Sequence, residues 1–176
     1  MSEGEITRIV KLDRVPPRLT IEADAAERAA LAARFGLVAI DRFHAEVALA
    51  QDGSVIEVNG HLRAAFAQGC AISGEPFTNS IDEPLAIRFV PALAAAGEEG
   101  ELELSADDPD EIEYGDNAID LGEALAQSFG LALDPYATGP EAAAARAQAG
   151  ILTEDEAQAL SGPFAALAPL RTKRPS

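Results

Sequence analysis

The sequence predicts an α+β fold: an antiparallel, partly barrel-like sheet with two packed helices and a helical C-terminal tail. Three observations lead there. Residues 38–91 hold three runs whose apolar side chains fall on alternate positions, with turn-forming residues between them. Period two marks a strand with one buried and one wet face. Two further segments, 24–35 and 120–132, carry helix-forming residues behind an aspartate N-cap. Finally, strand follows strand without the βαβ alternation of a doubly wound nucleotide-binding sheet. Residues 1–136 are expected to form a single α+β domain and residues 137–176 an alanine-rich, loosely ordered helical tail. Only nine of 176 residues are aromatic, so large anchors are too few for the core to extend over the whole chain.

Taken in order, residues 6–18 read as a short edge strand ended by Pro16-Pro17. Arg8, Lys11, Arg14 and Arg18 make it basic, as befits a charged edge that resists sheet-to-sheet pairing; contact with RNA is the second reading. The helix over 24–35 has Asp24 and Glu27 in capping-box spacing and stops at Gly36 as its C′ residue. Along 38–50, Phe43, Ala45, Val47 and Leu49 share one face, and Gln51-Asp52-Gly53-Ser54 is a hairpin turn. The returning strand, 55–68, puts Ile56, Val58, Leu62, Ala64 and Phe66 on one parity. A compact knuckle at Cys70–Pro76 leads to a third strand, 80–90, with Ile81, Leu85, Ile87 and Phe89 in phase. Residues 92–118 turn to Ala, Gly, Glu and Asp; Leu102, Leu104, Ile112 and Tyr114 suggest short strands at 101–104 and 111–114. Asp120 and Glu123 form another box-like pair, and Leu121, Leu125, Phe129 and Ala132 trace the buried stripe of the second helix. In the tail, Thr153 and Glu156 open a short helix at 154–160.

The formal net charge is −17, and it is unevenly placed. From Phe89 to Ala145 there is no lysine or arginine but 14 acidic residues, whereas residues 1–88 hold nine basic and 13 acidic ones. Such a chain is repelled by phosphate backbones and attracts basic partners. The candidate partner-binding residues are therefore Glu98, Glu99, Glu101, Glu103, Asp107, Asp108, Asp110, Glu111, Glu113 and Asp116. Asp107-Asp108-Pro109-Asp110 lacks the order and closing glutamate of an EF-hand loop and reads as a solvated loop. No stretch approaches the roughly 20 apolar residues of a membrane span, and the first residues lack the apolar run of a secretory signal. A cytoplasmic protein is expected.

Catalysis finds little support. His44 and His61 lie on the polar faces of strands that should pair, with no metal-ligand spacing around them, and read as members of a solvated face. No phosphate-binding glycine loop, HExxH or GxSxG pattern is present. A single cysteine excludes an internal disulfide.

Two blocks carry a family resemblance. The first is Gly60-His61-Leu62, then Cys70-Ala-Ile-Ser73-Gly-Glu-Pro76-Phe77, then Phe89-Val90-Pro91; the second is Ile119-Asp120-Leu121 followed by Leu131-Ala-Leu-Asp134-Pro135-Tyr136. Together they resemble the YceD-like large ribosomal RNA subunit accumulation protein family. Many members carry Cys-x-x-Cys at the knuckle; here it is Cys70-x-x-Ser73. A hydroxyl is a poor substitute for a thiolate on zinc, so no metal and no cofactor is expected. Cys70 is read as a small buried residue shaping the turn, and Ser73, Gly74 and Pro76 as turn geometry. The resemblance implies a non-enzymatic factor needed for accumulation of large-subunit ribosomal RNA. Combined with the charge, it points to a basic ribosomal protein or assembly factor as partner, with indirect association to the RNA and no membrane. The same acidity also fits an acidic protein-binding module unrelated to ribosomes.

Overall fold

A computed structural model describes residues 6–92 and 110–152. The elements run β1 (Ile9–Lys11), a 3-10 turn (Leu12–Arg14), β2 (Arg18–Glu22), α1 (Ala25–Phe35), β3 (Ala39–Asp52), β4 (Val55–Gly69), β5 (Pro76–Pro91), β6 (Asp110–Tyr114), β7 (Ala118–Asp120), α2 (Leu121–Ala132) and α3 (Ala142–Ala149). The fold is α+β, built on a mostly antiparallel five-stranded sheet of order β2-β3-β4-β5-β6. A separate antiparallel pair joins β1 to β7.

The long β3–β4 ribbon forms because Gly53 supplies the positive φ (59°) that a two-residue hairpin turn demands. Asp52 then faces Val55, and this register carries on to Phe43 opposite Ala64, with a bulge beyond it between Ile40 and Arg42. Phe43, Ala45, Val47 and Leu49 of β3 and Ile56, Val58, Leu62, Ala64 and Phe66 of β4 all point into the core. Leu85, Ile87 and Phe89 continue that face on β5. Both helices start as the sequence indicates. Asp24 accepts from Glu27 N–H (2.9 Å) while the Glu27 carboxylate accepts from Asp24 N–H (2.8 Å), and Gly36 closes α1 at φ 66°. Asp120 caps α2 by accepting from Gly122 and Glu123 N–H. Its expected box partner Glu123 instead turns to Arg34 of α1, with two contacts of 2.8 Å. Phe129 is fully buried and meets the rings of Phe35, Phe43 and Phe66 edge-on, at 5.5–5.6 Å between centroids. One aromatic thus ties α1, α2 and two strands, a geometry that suits the ring quadrupoles.

Several expectations change. The five strands form an open ladder: no pairing joins β2 to β6 among the described residues, so the partly barrel-like closure is not found there. β6 runs parallel to β5, from Ile87 opposite Asp110 to Pro91 opposite Tyr114. Alternation specifies a face and not a direction, so the sequence could not reveal this. The third ribbon strand begins at Pro76 rather than residue 80, because proline is tolerated at the first position of a strand. Residues 6–18 do not add an edge to the main sheet; β1 pairs with β7, and β2 after the prolines is the edge. The strand expected at 101–104 and the helix expected at 154–160 lie outside the described residues. No helix among those described is long and apolar enough to cross a membrane.

Candidate functional site

Of the ten acidic residues singled out from the sequence, Asp110, Glu111, Glu113 and Asp116 are described, and all four are exposed. Glu98, Glu99, Glu101, Glu103, Asp107 and Asp108 lie outside the described residues. Asp110 opens β6, in which Ile112 packs against the core and the Tyr114 hydroxyl donates to the Ser54 carbonyl at the β3–β4 turn. That leaves Glu111 and Glu113 on the opposite parity, toward solvent. Asp116 sits in the tight turn to β7 at φ 53°, a conformation aspartate tolerates. The four are not equivalent. Glu111 contacts Arg88 across the parallel pair at 2.8 Å, whereas Asp110, Glu113 and Asp116 have no cationic partner among the described residues. Of these four carboxylates, the ones without a cationic partner therefore lie at the start and on the solvent side of β6 and in the turn that follows.

The outer face of the main sheet brings together residues that the sequence left apart. The His61 ring nitrogen Nδ1 lies 3.1 Å from Asp82, and Arg63 Nε donates to the same carboxylate at 3.0 Å. Arg63 also approaches Glu46 at 3.5 Å, and His44 Nε2 lies 3.8 Å from Glu46. Arg63 is the hub, and its guanidinium holds Asp82 below the usual carboxylate range. The signal was legible: the hairpin register fixed by Gly53 sets Glu46 opposite His61 and His44 opposite Arg63. His61 thus belongs to a charge-compensated network on a solvated face, whereas the His44 side chain is only 14% exposed, contrary to the expectation of a solvated residue, and its Nδ1 is buried without a hydrogen-bond partner among the described residues.

At the knuckle, Cys70 is 4% exposed. Its N–H donates to the Glu75 carbonyl (2.9 Å) and its carbonyl accepts from Gly74 N–H (2.8 Å), with Gly74 at φ 72°. Ser73 N–H points at the sulfur at 3.4 Å, and Ser73 Oγ accepts from Glu75 N–H at 3.2 Å. The Ser73 hydroxyl, helped by the N–H groups of Ser73, Gly139 and Ile72, lowers the thiol pKa to about 6. Pro76 opens β5 opposite Gly69. The segment after α2 seals this corner: Ala71 N–H donates to the Ala137 carbonyl at 3.0 Å, and Gly139 lies against the Phe77 ring. No group of three or more His, Cys, Asp or Glu side chains among the described residues is placed to hold a metal.

Sequence reasoning missed Arg8. Its guanidinium makes a two-point contact with Glu27 (2.6 and 3.0 Å) and donates to the Glu22 carbonyl (3.2 Å), while its N–H donates to Asp120 (3.0 Å). Arg8, one of the four cations of the first segment, thereby clamps the start of β1 to β2, α1 and the N-cap of α2.

The described residues form an α+β fold in which the β6 carboxylates and the His61–Asp82–Arg63 network lie on open sheet surfaces. The chain belongs to the family described as large ribosomal RNA subunit accumulation protein YceD, whose model matches residues 58–171. The match takes in both resemblance blocks, the knuckle, β6 and α2. No curated protein matches the chain. No solved structure matches it either.

Proposed function

We propose that this protein is a non-enzymatic, cytoplasmic ribosome-biogenesis factor that supports accumulation of large-subunit ribosomal RNA by holding a basic ribosomal protein or assembly factor. Family membership carries the reading, since the family's description names large ribosomal RNA subunit accumulation. The charge supplies the mechanism. At −17 the chain is repelled by RNA, so association with the ribosomal particle runs through a cationic protein. The exposed carboxylates Asp110, Glu113 and Asp116 lack cationic partners among the described residues and suit such a protein. Holding it would keep it from aggregating on RNA before its site is ready. The contact is between exposed charges, so it weakens steeply as salt shortens the screening length below about 10 Å.

Depletion of the protein, followed by sucrose-gradient analysis with large-subunit RNA measured in parallel, tests the role. A shortage of mature large subunits with free small subunits left over is expected. A normal profile with normal RNA would refute it, leaving the same acidic edge to a protein-binding module unrelated to ribosomes. Complementation with Asp110→Asn, Glu113→Gln and Asp116→Asn together tests the surface. Restoration of a normal profile by that variant would remove these residues from the partner site.

A further inference from the structure

We propose that the cleft between β1 and β2 is a docking site for an extended acidic segment of a partner protein, taken in as an added β-strand. The cleft measures about 840 Å³ and is lined by residues of both strands and of the turn between them. It lies wholly before residue 58, outside the part of the chain that the family model matches.

Hydrogen-bond accounting identifies what the cleft offers. Between β2 and β3, Leu49 N–H donates to the Pro17 carbonyl and Ala23 N–H to the Phe43 carbonyl. Those bonds fix the odd-numbered residues of β2 as the ones facing β3. In an antiparallel strand the intervening residues turn their N–H and C=O the other way, so Arg18 and Thr20 present theirs to the free edge. The Glu22 carbonyl also turns that way and is taken by Arg8 at 3.2 Å, which closes one end of the cleft. Between β1 and β7, Leu121 N–H donates to the Arg8 carbonyl and Leu12 N–H to the Asn117 carbonyl. The same parity argument turns the N–H and C=O of Ile9 and the N–H of Lys11 away from β7, without a partner among the described residues, while the Lys11 carbonyl is the first acceptor of the 3-10 turn. Among the described residues, two strand edges with unpaired backbone groups therefore border one gap, and a strand placed there would join the β1–β7 pair to the main sheet.

The side chains select the occupant. Val10 and Ile21 are buried beneath the cleft, so alternate residues of an inserted strand meet an apolar floor. Lys11 and Arg14 line the cleft, and Arg18, exposed at the start of β2 on the parity opposite Ile21, adds a third cation at its border. None of these cations has an acidic partner among the described residues, although the chain carries 30 carboxylates; Asp13 is the acid that also lines the cleft. The fitting segment alternates apolar and acidic residues, the recognition mode in which backbone bonds give affinity and alternate side chains give specificity. The same cations repel the equivalent edge of a second copy, the usual defence of an open edge, while admitting a strand of opposite charge.

The test uses the full chain and a synthetic peptide of about eight residues alternating glutamate and valine, enough to span a strand of this length. Amide hydrogen exchange followed by NMR is the readout. Binding is expected to slow exchange at Ile9, Lys11, Arg18 and Thr20, and a peptide with lysine in place of glutamate is expected not to bind. Thr20→Val keeps the backbone donor and should bind like the parent. Thr20→Pro removes that donor from a position not bonded to β3, and should weaken binding about tenfold or more. Lys11→Glu with Arg18→Glu should do the same. Unchanged protection in β3 and β4 certifies that each variant is folded. The proposal falls if the acidic peptide does not bind, if it binds without protecting those four amides, or if Thr20→Pro binds normally. It also falls if a single-stranded RNA oligonucleotide, or self-association at high concentration, protects the same amides in preference to the peptide.

Discussion

Burial normally raises a thiol pKa, because the charged form loses water. At Cys70 the opposite holds: the Ser73 hydroxyl and converging N–H groups favour the thiolate and bring the value to about 6. Ser73 is the residue that supplies the decisive hydrogen bond to the sulfur. The ultraviolet absorbance of the thiolate should therefore titrate with a midpoint near 6, and Ser73→Ala should move it upward. A midpoint at the ordinary value of 9.0 would disprove the arrangement. The folded value lies below the ordinary 9.0, so the thiolate contributes stability that is present above pH 9 and is lost as pH falls through about 6. The sequence showed a small residue in a turn; the acidity depends on a loop closure that aims one hydroxyl, and the pattern carries no trace of it.

At the scale of elements, the β3–β4 ribbon depends on a glycine that is not in a turn. A Cβ on Gly60 would run into the Glu46 carbonyl oxygen and come within 2.8 Å of Val47 Cα. Both obstacles are backbone, so the strands would have to part. Gly60→Ala should cost more than the about 1–3 kcal/mol of ordinary overpacking, read as a lower urea midpoint. Gly69→Ala, at the end of the same strand, would meet only Gly74 O at 3.6 Å and should leave the midpoint nearly unchanged. Equal effects would show that the close approach is unimportant. The ribbon and both main helices were legible, because alternation and capping are local properties. β2 and β7 were not, since three to five residues carry too little pattern, and the direction of β6 is not encoded in alternation at all. Of the candidate site, the acidity of β6 was legible, but the neutralisation of Glu111 by Arg88 required knowing that those strands are neighbours.

For the molecule as a whole, ion pairs between elements link folding to pH. The Arg8 hydrogen bonds hold Glu27 below its ordinary 4.5, and those of Arg34 do the same for Glu123. Depressed carboxylates contribute stability that is fully present above pH 4.5 and is lost as pH falls through their folded values. Urea midpoints should therefore drop on acidification below about 4.5, and Glu27→Gln should flatten that drop. An unchanged slope in Glu27→Gln would show that the Arg8 clamp does not contribute.

The contact of Arg8 N–H with Asp120 spans 112 residues, and its meaning changes when the chain is considered during its synthesis. At about 5–20 residues per second, β1 waits several seconds or more on the ribosome before β7 emerges to pair with it. Throughout that interval the basic first segment stays beside the translating ribosome with neither of its edges closed, and it gains its final neighbour only once β7 has followed it out.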